Sequence, residues 1–243
     1  MNVLLFSNGK VAGNTSLLEF GSEWVEDAIK RTGTKKLLFI PFAMIRGEYD
    51  ERLAQLSSVV APFGASITGI HHADDPVEAV KAADGFIVSG GNTWVLNKML
   101  HDQGLIGPLR QAILKQDKLY IGWSAGTNIA CPTIRTTNDM PIISAAILPS
   151  LNLVPFQINP HYIEANISGH MGETRDERIE EFLIQNPHEI VVGIPEGTML
   201  KIEGEQLSYY TATGAPLKLF LHKQEAQYFN SEDNIQALMQ QGI

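Results

Sequence analysis

The strongest constraint on folding in this chain is an alternation of two patterns. Short apolar runs at 2–7, 36–40, 66–70, 85–89, 119–123 and 190–194 are separated by stretches whose apolar residues recur at helical spacing. Residues 21–32 place Trp24, Val25, Ala28 and Ile29 on one face, and 50–60 place Leu53, Leu56 and Val60 on one face; 93–103 and 106–116 follow suit. Strands joined by helical crossovers predict an α/β fold, a doubly wound and mainly parallel sheet covered on both faces. Such sheets gather ligands at the carboxyl ends of their strands. From Thr198 onward the texture changes to short alternating segments, 199–202, 206–210 and 217–221, which predict antiparallel hairpins appended to the main sheet. Residues 133–156, with Pro141, Pro149 and Pro155, read as a long surface excursion.

With 243 residues, 44% of them hydrophobic, the chain can bury a sizeable core, and one α/β domain over 1–243 is expected. Its 18 Lys and Arg against 27 Asp and Glu give a net charge of −9, which argues against a nucleic-acid or anionic-membrane partner. Cys131 is the lone cysteine, so no internal disulfide and no cysteine-based zinc site can form, and a reducing cytoplasm fits best. No stretch approaches the roughly 18 apolar residues of a membrane span.

The most informative string is Gly122-Trp123-Ser124-Ala125-Gly126, at the end of the apolar run 119–123. It has the form of a G-x-S-x-G nucleophile elbow, a tight strand-to-helix turn that presents a serine hydroxyl beside the amide of the next residue, Ala125. The pentapeptide also fits an ordinary glycine-rich turn. A second glycine-rich strand end, Ser89-Gly90-Gly91-Asn92-Thr93, could lend the Gly91 amide to the same oxyanion; alternatively it is a phosphate-binding turn, or Asn92 or Thr93 simply caps the next helix.

A serine nucleophile needs a base, and the base an orienting acid. Of seven histidines, His161 follows Asn159-Pro160 at the end of an expected strand over 153–158, which would hold it at a strand edge. His170 competes, but glycines on both sides make it a less rigid base. Glu196, fixed between Pro195 and Gly197 beyond the run 190–194, occupies the same kind of strand end; alone, Pro-Glu-Gly reads as an exposed turn. The order Ser124, His161, Glu196 differs from the serine, acid, histidine order of α/β-hydrolases. Further on, Thr174 and Glu177 form a capping box. Arg175 then falls in the first helical turn, where a cation opposes the helix dipole; it either binds a carboxylate ligand or pairs with Glu173, Asp176 or another acid.

Taken together, Ile121 to Gly126, the run from Cys131 to Ile142, Gln157 to His161, Gly172 to Arg175 and Ile194 to Gly197 resemble the α-aspartyl dipeptidases of serine peptidase family S51. The likeness extends to about Gly197 and thins in the C-terminal hairpins. It implies a flavodoxin-like fold related to class I glutamine amidotransferases and cleavage of dipeptides with an N-terminal aspartate. It places the catalytic triad on Ser124, His161 and Glu196, the oxyanion donors on Gly91 and Ala125, and the aspartate-binding arginine on Arg175. Asp139 becomes the expected acceptor of the substrate amine, and Asn92 an accompanying substrate contact. Ser89 departs from the family pattern, where a third glycine is usual. No metal or other cofactor is expected, and the protein would be a monomer or a homodimer. Two rivals remain open: an S51 peptidase acting on an aspartate-rich polymer such as cyanophycin, and a catalytically silent binding module on the same fold. The motifs around Asn138 to Pro141 and Gly172 to Arg175 favour the dipeptidase.

Overall fold

A computed structural model describes residues 1–144, 146–164 and 172–240. The first half alternates as expected: β1 (Asn2–Phe6), α1 (Ser22–Thr32), β2 (Lys36–Ile40), α2 (Tyr49–Val60), β3 (Ser66–Gly69), α3 (Pro76–Ala82), β4 (Gly85–Val88), α4 (Thr93–Asp102), α5 (Ile106–Lys115), β5 (Leu119–Trp123) and the one-turn α6 (Ala125–Asn128). After an irregular stretch come β6 (Gln157–Tyr162), α7 (Arg175–Gln185), β7 (Ile190–Pro195), β8 (Thr198–Glu203), β9 (Gln206–Thr211), β10 (Leu217–Leu221) and β11 (Gln227–Phe229). The short α3 was not anticipated, although Asp75 caps it and Pro76 occupies its first position, as expected at a helix start.

Seven strands form the main sheet in the order β3-β2-β4-β5-β1-β8-β9. The first five are parallel, and β8 and β9 add on antiparallel beside β1. Alternation along the strands divides the core. Val3, Leu5, Val88 and Tyr120 pack with Leu96, Leu100, Leu109 and Ile113 of α4 and α5 on one face. Leu4, Phe6, Phe39, Ile87 and Ile121 pack with Val25 and Ile29 of α1 and Leu56 and Val60 of α2 on the other. Both faces are therefore covered, which is why these strands read as continuous apolar runs.

The second half corrects the expectation of a single sheet with appended hairpins. Strands β11-β10-β7-β6 make a separate four-stranded sheet, in which β6 and β7 run parallel and β10 and β11 antiparallel. Only the β8–β9 hairpin joins the main sheet. The chain crosses between the sheets three times, and the crossing from β7 to β8 uses Glu196 and Gly197 alone. The strand expected over 153–158 lies instead at Gln157–Tyr162, with a register shift between Pro160 and Tyr162. Proline is tolerated there because β6 is an edge strand. No helix among the described residues is long and apolar enough to cross a membrane.

Candidate active site

Three strand ends converge. Ser124 leaves β5 in the main sheet, His161 sits in β6 of the second sheet, and Glu196 occupies the corner after β7. His161 Nε2 lies 3.0 Å from Ser124 Oγ, and His161 Nδ1 lies 2.7 Å from Glu196 Oε1. With the ring proton on Nδ1 donated to Glu196, Nε2 is free to accept the serine proton, which is the relay a hydroxyl nucleophile requires. The His161 side chain is 39% exposed and that of Glu196 is 61% exposed, so water screens this pair and its role is orientation more than stability. The rival base, His170, lies outside the described residues.

The backbone at these positions is strained. Ser124 has φ 54° and ψ −111°, and His161 has φ 53°, values a residue with a Cβ adopts only when its surroundings impose them. At Ser124 the cause is steric. A Cβ on Gly122 would lie 2.5 Å from the Gly126 oxygen, and one on Gly126 would lie 2.4 Å from the Val88 oxygen, so the elbow closes only with glycine at both places. Thr127 Oγ1 donates to the Phe6 and Gly122 carbonyls and locks the turn against β1.

Two residues that no sequence motif singles out fix the backbone at His161 and beside Glu196. The buried Ser7, just beyond β1, accepts the His161 amide at 2.8 Å and donates to the Ile194 carbonyl at 2.9 Å. Its neighbour Asn8, also buried, accepts the Gly197 amide at 2.8 Å. Two side chains at the end of one main-sheet strand thus pin the second sheet at His161, Ile194 and Gly197. The available signal was a polar Ser-Asn pair closing an apolar strand.

Gly91 has φ 140°, and a Cβ there would fall 2.1 Å from the Ala43 oxygen. Among the described residues neither the Gly91 amide nor that of Ala125 donates to a protein acceptor, so both are available to an oxyanion. Ser89 does not disturb this loop: its side chain is buried, with Oγ 3.5 Å from the Ile40 carbonyl. A cleft of about 350 Å³ lies between the glycine loop and the triad; Lys10 and Arg52 also line it. A neighbouring cavity of about 380 Å³ shares Met44, Gly90 and Gly91 with the cleft and is lined by Asn92 and Asp139.

Asn92 and Asp139 both carry structural duties. Asn92 Oδ1 caps α4 by accepting from Val95 at 3.2 Å, and its Nδ2 donates to the Met140 carbonyl at 2.9 Å. Asp139 Oδ2 accepts from the Thr93 amide and hydroxyl at 2.8 and 2.6 Å and from Thr137 Oγ1 at 3.1 Å. Oδ1 of Asp139 has no partner among the described residues.

Arg175 opens α7 beneath the Thr174–Glu177 capping box. Burial, then the charge of Arg178, pushes its guanidinium below the ordinary value, while Tyr162 works in the opposite direction. None of the acids expected to neutralise it does so. Glu173 pairs with Arg178, and Asp176 is taken by Lys218 at 2.7 Å and by the Tyr162 hydroxyl. A half-buried cation without a carboxylate among the described residues favours an anionic ligand.

Cys131 lies away from the cleft, buried beneath β6, and burial pushes its thiol up to about 12. Among the described residues one group of metal-ligand type converges, Asp50 with His71 and His72, and none of the three lines the cleft. Direct contacts from His71 and His72 to one Asp50 oxygen, at 3.0 and 2.7 Å, account for that arrangement.

Comparison with known proteins identifies the family. The family model for peptidase family S51 matches residues 3–210. Peptidase E of Escherichia coli O1:K1 / APEC is 44% identical over 207 residues, covering 83% of this chain and 86% of that protein. The chain belongs to peptidase family S51. Peptidase E of Shigella boydii serotype 18 matches at the same level. Among solved structures, a peptidase from an acI-B1 Actinobacterium superposes with a TM-score of 0.65 at 22% identity, covering 96% of each chain, which shows the shared fold. As an S51 member the protein is a peptidase, built on a mixed α/β architecture whose central sheet is mostly parallel.

Proposed function

We propose that the protein is a serine dipeptidase that hydrolyses α-Asp-Xaa through an acyl-enzyme. The observation that carries the specificity is Arg175, a half-buried guanidinium whose neighbouring acids are engaged elsewhere. It takes the side-chain carboxylate of the substrate's first residue. Asp139, through its Oδ1, accepts the free α-amine, and Asn92 shapes the wall of the same cavity.

In the acylation step His161 Nε2 removes the Ser124 proton as Oγ attacks the peptide carbonyl, and the Gly91 and Ala125 amides hold the oxyanion. Glu196 orients the imidazole and stabilises its positive charge. His161 then protonates the leaving amine, the C–N bond breaks, and the second residue departs. Water, deprotonated by the same histidine, attacks the acyl ester and releases aspartate with Ser124 restored. No step draws on a metal.

The test is hydrolysis of α-Asp-Leu by the purified protein, with Leu-Leu and β-Asp-Leu as controls and a chelator present. Selective cleavage of α-Asp-Leu is expected. Cleavage of Leu-Leu at a comparable rate would remove Arg175 from specificity. Failure to cleave any of the three by folded protein would overturn the dipeptidase reading in favour of a polymer-directed peptidase or a silent binding module.

A further inference from the structure

The triad cleft contains two cations that the steps above do not use. Among its lining residues the sole carboxylate is Glu196, which is engaged by His161, while Lys10 and Arg52 contribute positive charge. In a chain of net charge −9 such an excess is local and specific.

Arg52 stands in the first turn of α2, where a cation works against the helix dipole, so helix stability does not explain it. Nor does an ion pair. No carboxylate among the described residues lies within pairing distance of its guanidinium, and the neighbouring acids are directed elsewhere: Asp50 to His71 and His72, Glu51 to Gln55. Arg52 is half-buried, which adds desolvation to the cost of leaving the charge alone. Lys10 donates to the Thr15 carbonyl at 3.0 Å and keeps further N–H groups for a ligand.

Position assigns the side of the substrate. Asn92 and Asp139 line the adjoining cavity, beyond the shared Gly90 and Gly91, whereas Lys10 and Arg52 lie in the cleft with Ser124, His161 and Glu196. In the proposed reaction the first residue of the dipeptide occupies the Asp139 side, so the leaving residue lies on the Arg52 side. One extended residue spans roughly 3.3–3.6 Å, so in a dipeptide the terminal carboxylate follows directly after the scissile bond.

We infer that Arg52, assisted by Lys10, binds the terminal carboxylate of the leaving residue, making a free carboxyl end immediately after the scissile bond a recognition element. This rests on the dipeptidase reading and deepens it. It supplies a reason for cleaving dipeptides in preference to longer chains, because a third residue would replace the carboxylate with a neutral amide.

The experiment compares kcat/KM for α-Asp-Leu and α-Asp-Leu-amide in wild-type protein and in Arg52→Met, Lys10→Met and Arg46→Met. Wild type should favour the free acid by about 10- to 100-fold, the size of one lost charge-assisted bond. Arg52→Met should bring that ratio close to one while retaining preference for Asp over Asn at the first residue. Lys10→Met should lower it partly, and Arg46→Met, in the adjoining cavity, should leave it unchanged. Equal rates for acid and amide in wild type would overturn the inference, as would loss of first-residue selectivity in Arg52→Met or a collapse of the ratio in Arg46→Met. Calorimetric binding of the two ligands to Ser124→Ala requires neither turnover nor an Arg52 variant. Tighter binding of the acid supports the subsite even if hydrolysis fails, and equal binding sinks it even if hydrolysis succeeds.

Discussion

The backbone amide of His161 hangs on the hydroxyl of Ser7, 2.8 Å away, so the proposed general base of one sheet is held by a side chain of the other. Because Ser7 is fully buried and also donates to Ile194, Ser7→Ala leaves a part-buried N–H and a buried C=O short of a partner. A loss of about 1–3 kcal/mol in stability is expected. The rate should suffer more than substrate affinity, because the hydroxyl sets where the imidazole stands. Urea denaturation and a kcat-against-KM comparison read the two effects; a fall in KM-dependent binding alone would show that Ser7 does not position His161.

Ser124→Ala should abolish turnover, with a loss of at least about 10³-fold in kcat, and leave the fold intact. Alanine inherits the same φ of 54°, so the substitution removes the proposed nucleophile without relieving or adding backbone strain. Equal circular dichroism with a retained wild-type rate would transfer the chemistry to another group.

Gly91→Ala attacks the proposed oxyanion loop by sterics alone. The new Cβ would meet the Ala43 oxygen at 2.1 Å on a backbone held at φ 140°, so the loop must move. Activity should fall by roughly 10²-fold or more, as for loss of one oxyanion donor. Single-turnover measurement of acylation checks this, since the step that forms the oxyanion should slow most.

These residues also show where the sequence could be read and where it could not. Ser124 and Glu196 stand out in the sequence because each follows an apolar run at a sheet's carboxyl edge, His161 stands out by its Asn-Pro-His setting, and Gly122 and Gly126 announce a backbone that cannot tolerate a Cβ. Ser7 and Asn8 escaped because their work depends on contacts across roughly 150 to 190 residues, to His161 and Gly197, which no local periodicity encodes. The split into two sheets escaped for a related reason. The apolar run of β7 looks the same whether β1 or β6 lies beside it, and pairing partners are chosen by tertiary packing. The proline-rich approach to β6 displaced the expected strand by four residues at each end, enough to carry His161 from a following turn into the strand itself.

Arg175→Met should remove the preference for Asp over Asn at the first residue, lowering that ratio by about 10- to 100-fold while leaving the acyl chemistry in place. Arg175→Lys should recover part of it, since a lysine keeps the charge but loses the bidentate fork. Parallel kcat/KM values for α-Asp-Leu and α-Asn-Leu decide the matter.

Cys131 should resist thiol reagents in the native protein. Burial raises its thiol from 9.0 to about 12, so the folded state holds the proton more tightly than the unfolded one. The resulting stability is fully present below pH 9 and is lost as the pH climbs toward 12. At pH 8 a chromogenic disulfide reagent should therefore react only after denaturant is added, and alkylating reagents should leave activity untouched. Rapid labelling of the folded enzyme would contradict the burial.

Glu196 and Gly197 form the sole covalent step from β7 to β8, and this divides the catalytic labour unequally. The proposed acid and base, Glu196 and His161, ride together on the smaller sheet, while the proposed nucleophile Ser124 and the Gly91 and Ala125 amides belong to the larger. A slight slip of one layer past the other would preserve the His161–Glu196 couple and still misalign it with Ser124. Substitutions far out on β10 or β11, with no access to substrate, should accordingly register as slower acylation rather than weaker binding, and the C-terminal strands act as a gauge of catalytic alignment.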